Sequence, residues 1–268
     1  EETHSDNMFQ LTPSATAVDS IQYDNAFRMC FSDPNQGSAS ADYIAENKLA
    51  TKVAIIYNSS DTYSSGIYQT FATEAKAKGL DVVAAEAFTA DNKTDFSVQI
   101  QKAKDAGAEL VFLPIYYQEA SLILAQANKA GFTPKWFGCD GMDGILDLDG
   151  FDASLAEDLM FLTPFTANAT DEATQKFVAD YKEAFGDTPI QFAADAYDCV
   201  YAYKAALEAS GATADMSAEE LCDKMIEAFP TLTYDGLTGT GITWDSTGAV
   251  SKTPKGMVIK NGAYVGME

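Results

Sequence analysis

The stretch from Thr51 to Asn58 reads TKVAIIYN, and it opens the alternation of apolar runs and amphipathic segments that decides the fold. The run is short, β-branched and continuously apolar, which predicts a buried strand. Helical spacing follows it, with Ile67, Phe71 and Ala75 on one face, and Gly79 then ends the predicted helix. This strand and helix form the first repeat of a longer pattern.

Six further segments continue the alternation along the middle of the chain. The predicted strands are 80–88, 109–116, 135–140 and 159–165, and the predicted helices are 95–106 and 118–130. Such alternation is typical of an α/β protein with a mainly parallel, doubly wound sheet and right-handed crossovers. The strands are apolar along their whole length, as expected when helices cover both faces of the sheet.

The pattern changes after residue 165. Three helices with short polar links are predicted, over 171–185, 191–209 and 217–228. A stretch rich in Gly and Thr follows, and the end predicts an antiparallel hairpin that turns at Asn261-Gly262. Residues 1–34 contain only a TPSAT loop motif and one strand-like run, AFRMCF, which is too little for a domain. We therefore expect these residues to pack on another part of the fold.

The composition excludes several classes of function. The 268 residues include 17 Lys and Arg against 40 Asp and Glu, and the net charge of −23 argues against binding nucleic acid or anionic membranes. The single histidine, His4, removes Ser-His-Asp and Cys-His catalysis and most catalytic zinc sites. Cys30, Cys139, Cys199 and Cys222 form no CxxC motif, and we interpret them as small side chains without an essential disulfide.

Polar side chains gather where the predicted strands end, and ligands of open α/β sheets bind beyond those ends. Tyr63 follows the first of these strands, Tyr116 ends the third, and Asp140 ends the fourth. Together they can close over a small zwitterion, because a carboxylate takes an ammonium while hydroxyls and backbone N–H groups take a carboxylate. Polar residues also collect at strand ends because loops begin there, so ordinary loop residues remain the alternative.

Three other features carry weaker signals. The glycine-rich run 236–241 has the wrong spacing for a dinucleotide loop and predicts a turn. The acidic segment 143–152 lacks the ligand spacing of a calcium loop, so we interpret it as solvated. The only arginine, Arg28, either clamps a ligand carboxylate or forms a structural ion pair. Neither a metal site nor a cofactor is predicted.

Several segments resemble one known family in their order and spacing. They are PSATA (13–17), AFRM with Gln36-Gly37 after it, VAIIYNSSDTYSSG, FTADNKTDFS, LPIYYQEA, FGCDGMDG, TPIQFAADAYDCVYAYKAALEASG and GLTGTGITWDSTGAV. Over nearly the whole chain they are similar to the leucine/isoleucine/valine-binding proteins of ABC importers, which are periplasmic-type receptors with a two-lobed type I fold.

The resemblance implies a function as well as a fold. It implies a binding protein, not an enzyme, that lies outside the cytoplasm, in a periplasm or as a cell-surface lipoprotein. Such a protein captures an amino acid, branched-chain or otherwise apolar, by hinge closure between two lobes and delivers it to a membrane permease. A sensing domain of the same fold that feeds a receptor or regulator is the alternative that the residues leave open.

The resemblance also implies roles for individual residues. The matching positions are Ser14, Ala15, Thr16, Tyr63, Tyr116, Asp140 and Phe192. The first three form a loop that takes the backbone ends of the ligand. The two tyrosines line the site, the aspartate pairs with the ligand's ammonium group, and the phenylalanine lies near the ligand side chain.

The resemblance finally implies how the chain is divided. The remainder of the first lobe would be 1–34 and 164–241, and the second lobe would be 35–163 and 242–268. Family members begin with about three strand–helix units before the loop at 14–16, which is about 90 residues at roughly 30 per unit. We therefore expect that this chain lacks an N-terminal segment, and that this segment or a second chain completes the first lobe.

Overall fold

The structure is a computed structural model that describes residues 1–267. Its strands are β1 (Gln10–Thr12), β2 (Ala26–Arg28), β3 (Lys52–Asn58), β4 (Asp81–Phe88), β5 (Leu110–Leu113), β6 (Lys135–Gly138), β7 (Met160–Thr163), β8 (Tyr234–Gly236), β9 (Gly239–Ile242), β10 (Lys255–Lys260) and β11 (Ala263–Gly266). Its α-helices are α1 (Glu2–Ser5), α2 (Asp33–Glu46), α3 (Thr62–Ala77), α4 (Ser97–Asp105), α5 (Tyr117–Lys129), α6 (Glu172–Phe185), α7 (Gln191–Ser210) and α8 (Ala218–Ala228). The chain divides into two compact units. Unit 1 comprises Glu1–Ser32 and Pro164–Thr253, and unit 2 comprises Asp33–Thr163 and the chain from Pro254 onward.

Unit 2 is built on a seven-stranded sheet with the order β11-β10-β7-β6-β5-β3-β4. Strands β3 to β7 run parallel to one another, and β10 and β11 extend one edge in antiparallel fashion. The predicted mainly parallel, doubly wound sheet is therefore confirmed. The order reverses at β3, which lies between β4 and β5. The gap between β3 and β5 is thus the switch point at which such sheets bind ligands.

Helices cover both faces of this sheet. Ile56 of β3 belongs to the apolar cluster under α4 and α5, whereas the adjacent Ile55 belongs to the cluster under α2 and α3. This explains the continuous apolar run of β3, since successive side chains enter opposite cores. On the α3 side, the Phe71 ring stacks on Phe112 with centroids 4.0 Å apart.

Helix α2 is an element that the sequence did not predict. Its buried positions include Gln36, Gly37 and Ser40, so its inward face lacks the apolar period that marks a helix. A Cβ atom at Gly37 would lie 2.7 Å from the carbonyl oxygen of Ile67 in α3. The two helices therefore pack at backbone distance, which requires small residues rather than large apolar ones.

The C-terminal hairpin of unit 2 is as predicted. β10 and β11 pair in antiparallel register, and Asn261 and Gly262 have φ values of 53° and 71°. Both values lie in the left-handed region that a two-residue type I′ turn requires.

Unit 1 packs the parallel pair β1 and β2 with α7, α8 and the segment around Trp244. The Trp244 indole N–H donates to the carbonyl oxygen of Arg28 at 2.7 Å, and its ring lies edge-on to Phe229 at 5.2 Å. Val250 is buried in the same core. The sequence assigned residues 242–253 to the second lobe, but the structure places them in unit 1, because these side chains complete its core.

Two properties of the chain bear on its chemistry. Cys30, Cys139 and Cys222 are buried, Cys199 is half-buried, and no disulfide bond forms within residues 1–267. In the same described range, no helix combines the length and the apolar character needed to cross a membrane.

Candidate functional site

A polar site lies at the carboxyl edge of the unit 2 sheet, at the switch point between β3 and β5. Tyr63 sits in the first turn of α3, just beyond β3, and the Asp61 side chain caps this turn by accepting from the N–H of Ser64 at 3.3 Å. The Tyr63 hydroxyl donates to Oδ1 of Asp140 at 2.6 Å and accepts from the N–H of Gly141 at 3.0 Å. One hydroxyl therefore joins the segment after β3 to the loop after β6.

Tyr116, which follows β5, closes the site from the other side. Its ring stacks on Tyr63 with centroids 4.8 Å apart and planes 23° from parallel, and the residue is 40% exposed. Gly141 lies against both tyrosines. A Cβ atom there would be 2.8 Å from the Ile115 carbonyl oxygen, 2.9 Å from the Tyr63 hydroxyl and 3.1 Å from the Tyr116 ring. Only glycine fits this position, and sequence reasoning did not single it out.

The structure thus brings Tyr63, Tyr116 and Asp140 together, as the strand-end argument expected. Their role in binding stays a prediction. Asp140 is only 2% exposed and Tyr63 only 7%, so the carboxylate and its donor sit at the inner wall while Tyr116 reaches solvent. A carboxylate with so little access to water interacts strongly with a cationic group placed beside it.

The site has a strongly acidic character. Burial and the neighbouring Asp140 carboxylate raise the pKa of Tyr63 well above its ordinary value. Burial, together with the carboxylates of Asp61, Asp140 and Asp33, likewise raises the pKa of Tyr116. Both hydroxyls therefore stay protonated at neutral pH and remain donors. This edge of the sheet favours a positively charged group.

Gln36 of α2 is a site residue that the sequence analysis missed. Its side-chain Oε1 accepts a hydrogen bond from the backbone N–H of Asp140 at 3.1 Å, and the residue is fully buried. The only signal for it was the Gln36-Gly37 pair in the resemblance. No spacing rule connects a residue on an unpredicted helix to a loop about 100 residues away.

In unit 1, the predicted residues Ser14, Ala15 and Thr16 lie together in the loop after β1. The buried Arg28 donates from Nη1 to the Thr16 carbonyl oxygen at 2.8 Å and from Nη2 to the Val18 carbonyl oxygen at 3.3 Å. Arg28 therefore holds the backbone of this loop. The two roles that the sequence left open for Arg28, a ligand clamp and a structural ion pair, stay predictions beside this one.

Phe192 lies half-buried in the first turn of α7, also in unit 1. The next turn of the helix carries a buried ion pair, in which Lys252 Nζ lies 3.0 Å from Oδ1 of Asp195. The same Nζ donates to the Thr238 hydroxyl at 2.6 Å. The start of α7 is thus anchored by buried polar contacts while the Phe192 ring keeps partial access to solvent.

The acidic segment 143–152 was expected to be solvated, and the structure departs from this only at its buried start. Asp143 is only 5% exposed, and the N–H of Gly144 donates to the Tyr264 hydroxyl at 3.1 Å, because β11 places that tyrosine over the segment. Asp147, by contrast, is exposed. Within residues 1–267, no group of three or more His, Cys, Asp or Glu side chains is placed to hold a metal ion.

Comparison with known proteins identifies the class of this chain. A family model described as periplasmic binding protein matches residues 3–263, so the chain belongs to the periplasmic binding protein family. The proteins of this family bind ligands and are not enzymes, in agreement with the sequence analysis.

Two curated relatives have names that state the amino acids they bind. The Leu/Ile/Val-binding protein homolog 3 of Brucella melitensis is 31% identical over 236 residues, which cover 85% of this chain and 62% of that protein. The leucine-, isoleucine-, valine-, threonine-, and alanine-binding protein of Pseudomonas aeruginosa is 27% identical over 236 residues, which cover 87% of this chain and 60% of that protein. The chain therefore spans about three fifths of the length of these relatives.

Two solved structures agree with this placement. The leucine-binding protein LivK from Thermotoga maritima matches with a TM-score of 0.86 and 26% identity, over 100% of this chain and 74% of that one. LivJ from Streptococcus pneumoniae, a branched-chain amino-acid transporter protein solved with isoleucine, matches with a TM-score of 0.83 and 27% identity, over 99% and 74%. These similarities confirm the predicted type I fold.

Proposed function

We propose that this chain belongs to the extracytoplasmic substrate-binding protein of an ABC importer and that its ligand is an amino acid with a branched or otherwise apolar side chain. The observation that carries the proposal is the buried Asp140 carboxylate, held by Tyr63 at the switch point of the sheet. Family membership supports a ligand-binding role, and the names of the relatives support the class of ligand.

In this proposal, Asp140 pairs with the ammonium group of the ligand. The hydrogen bond from Tyr63 fixes the rotamer of the carboxylate, so the side chain loses little further freedom when a ligand arrives. The acidic surroundings of Tyr116 add long-range attraction for the same ammonium group. The site would therefore discriminate against acidic amino acids, whose side chains carry a second negative charge.

The loop of Ser14, Ala15 and Thr16 would take the ligand carboxylate through hydroxyls and backbone N–H groups. Arg28 supports this role because it fixes the loop backbone through the carbonyl oxygens of Thr16 and Val18. Phe192 would contact the apolar side chain. Capture by closure of the protein around the ligand, followed by delivery to a membrane permease, completes the proposed mechanism.

The test is isothermal titration calorimetry of the full gene product with each of the twenty amino acids. We expect saturable binding of leucine, isoleucine or valine and no heat of binding with aspartate or glutamate. An aromatic carboxylate such as benzoate, which lacks an ammonium group, serves as the contrasting probe. Binding of benzoate without binding of any amino acid would overturn the proposed ligand class.

We further propose that an N-terminal segment of the gene product completes unit 1. Within residues 1–267, β1 pairs with β2 alone, so its other edge is open. A groove of about 390 Å³ is lined in part by β1, and Met8 and Val200 in its lining are 50% and 68% exposed. An open strand edge beside exposed apolar side chains is a surface that another strand can cover.

This second proposal is tested by comparing residues 1–268 with the full gene product. We expect the short form to self-associate in light scattering and to bind leucine much more weakly. A short form that is monomeric, melts cooperatively and binds leucine as tightly as the long form would refute the completing segment. A second copy of the chain as the completing element would instead give a dimer with full affinity.

A further inference from the structure

The contact between Gln36 and Asp140 joins helix α2 to the end of β6 in the interior of unit 2. The backbone N–H of Asp140 can only donate, so the group that faces it at 3.1 Å must be the amide oxygen of Gln36. The orientation of the Gln36 amide is therefore determined by chemistry. Its nitrogen, Nε2, points away from Asp140.

The burial of this nitrogen is energetically unfavourable. Nε2 of Gln36 is buried and has no hydrogen-bond partner among the protein atoms of residues 1–267. Buried polar groups without partners are rare, and each one is destabilising. An apolar side chain of the same length would remove this unsatisfied donor, but it would also remove the acceptor of the Asp140 N–H. The glutamine therefore keeps its oxygen on the backbone of Asp140 at the cost of a buried nitrogen without a partner.

We propose that Gln36 is a positioning residue for the recognition of the ligand's ammonium group and acts through the backbone of Asp140. Gln36 holds the N–H of Asp140, while Tyr63 holds both its Oδ1 atom and the N–H of Gly141. The Asp140-Gly141 pair is thus fixed on two sides by groups from two different helices. This inference rests on the proposed function, because it concerns the ammonium group of that ligand.

The physical basis is preorganisation. A carboxylate that already has its bound geometry loses no ordering entropy when the ligand arrives. Without the Gln36 acceptor, the buried N–H of Asp140 loses this hydrogen bond, and the loop can rotate to find another partner. The Asp140 carboxylate then meets the ammonium group in several geometries rather than one. The loss of binding free energy therefore concerns the interaction with the ammonium group and not the contacts with other parts of the ligand.

The test uses Gln36→Met, which keeps length and volume but removes the acceptor, with Gln36→Leu as the second variant should the first not fold. Gln36→Glu is the conservative variant, since it keeps an oxygen acceptor at the same reach. Gln126→Met is the matched control. In the same unit, Oε1 of Gln126 accepts from the backbone N–H of Phe96 at 2.8 Å, a bond of the same kind that does not involve Asp140.

The measurement is the ratio of affinities, by calorimetry on the full gene product, for leucine and for its analogue with a 2-hydroxyl in place of the ammonium group. We expect Gln36→Met to weaken leucine binding at least about tenfold, or 1.4 kcal/mol, with little change for the 2-hydroxy analogue. Gln126→Met should keep the wild-type ratio, and Gln36→Glu, which keeps the acceptor and adds a carboxylate, should not lower it. Melting temperatures measured in parallel show whether each variant is folded.

The outcomes separate this inference from the proposed function. In one case, the wild-type protein prefers leucine to the 2-hydroxy analogue. If Gln36→Met then loses affinity for both ligands equally, or for neither, the positioning role of Gln36 is overturned and the proposed function stands. Wild-type protein that binds leucine no better than the 2-hydroxy analogue would overturn ammonium recognition itself, and the positioning role with it.

Discussion

The hydroxyl of Tyr63 offers the sharpest perturbation of the site, because Tyr63→Phe removes one oxygen and preserves the ring that stacks on Tyr116. Two buried hydrogen bonds disappear with it, the donation to Asp140 at 2.6 Å and the acceptance from the Gly141 N–H at 3.0 Å. A bond to a charged acceptor contributes about 1.5–3 kcal/mol, and an unsatisfied buried N–H costs about 1–3 kcal/mol. Since the two terms overlap, we expect a destabilisation of about 2–4 kcal/mol.

The same variant changes the dependence of stability on pH. Burial and Asp140 raise the pKa of folded Tyr63 above the unfolded value of about 10. The stability that this group contributes is therefore fully present below pH ~10 and is lost as the pH rises through the folded pKa. Tyr63→Phe lacks this group, so the gap in stability between wild type and variant should narrow above pH ~10.

The assay is urea denaturation of the full gene product at neutral and alkaline pH, with leucine titration by calorimetry beside it. Tyr43→Phe is the control, because Tyr43 is a half-buried tyrosine of the same unit whose ring packs near Phe137 at 5.9 Å. We expect the control to stay within about 0.5 kcal/mol of wild type. If Tyr63→Phe matches wild type in both stability and leucine affinity, the hydroxyl does not hold Asp140 and the reasoning about the site fails.

Three further predictions concern packing, charge and capping. In a denaturant titration, Gly141→Ala should lower the free energy of unfolding by about 1–3 kcal/mol, and it should weaken leucine binding, because its Cβ atom would overlap the site. Gly266→Ala, whose Cβ atom would lie in open space, should change neither quantity. Lys252→Met should lower the free energy of unfolding by about 3–5 kcal/mol in the same titration, because the buried Asp195 carboxylate would lose the lysine that pairs with it. A loss of less than about 1 kcal/mol would contradict this prediction. Ser217→Ala should lower stability by about 1 kcal/mol, as it removes a capping box on α8, and unchanged melting would show that the cap is not formed in solution.

The sequence predicted the parallel sheet of unit 2 because its signal is local. The strands β3 to β7 are mostly apolar, and α3, α4 and α5 each carry an apolar face and are followed by a glycine two residues beyond the end of the helix. Helix α2 escaped prediction because its partner is the backbone of α3. Close approach at Gly37 selects small and polar residues, which leave no apolar period to read.

The site residues also divide into those that have a signal in the nearby sequence and those that do not. Tyr63, Tyr116 and Asp140 could be predicted because each lies shortly after the end of a strand, and parallel strands end at one edge of the sheet. Gln36 and Gly141 could not, because their roles come from contacts that only the folded chain creates. The assignment of residues 242–253 failed for a related reason, since Trp244 meets Arg28 across more than 200 residues of sequence.

The central claim is that the buried Asp140 carboxylate binds the ammonium group of an amino acid, and calorimetry of the full gene product with leucine tests it most directly. Asp140→Asn keeps the size of the side chain and removes the charge, and Asp147→Asn, at an exposed aspartate of the adjoining acidic segment, is the matched control. We expect Asp140→Asn to weaken binding by about 2–5 kcal/mol, at least about 30-fold, and the control to bind like wild type. Equal affinities of wild type and Asp140→Asn for leucine would contradict it.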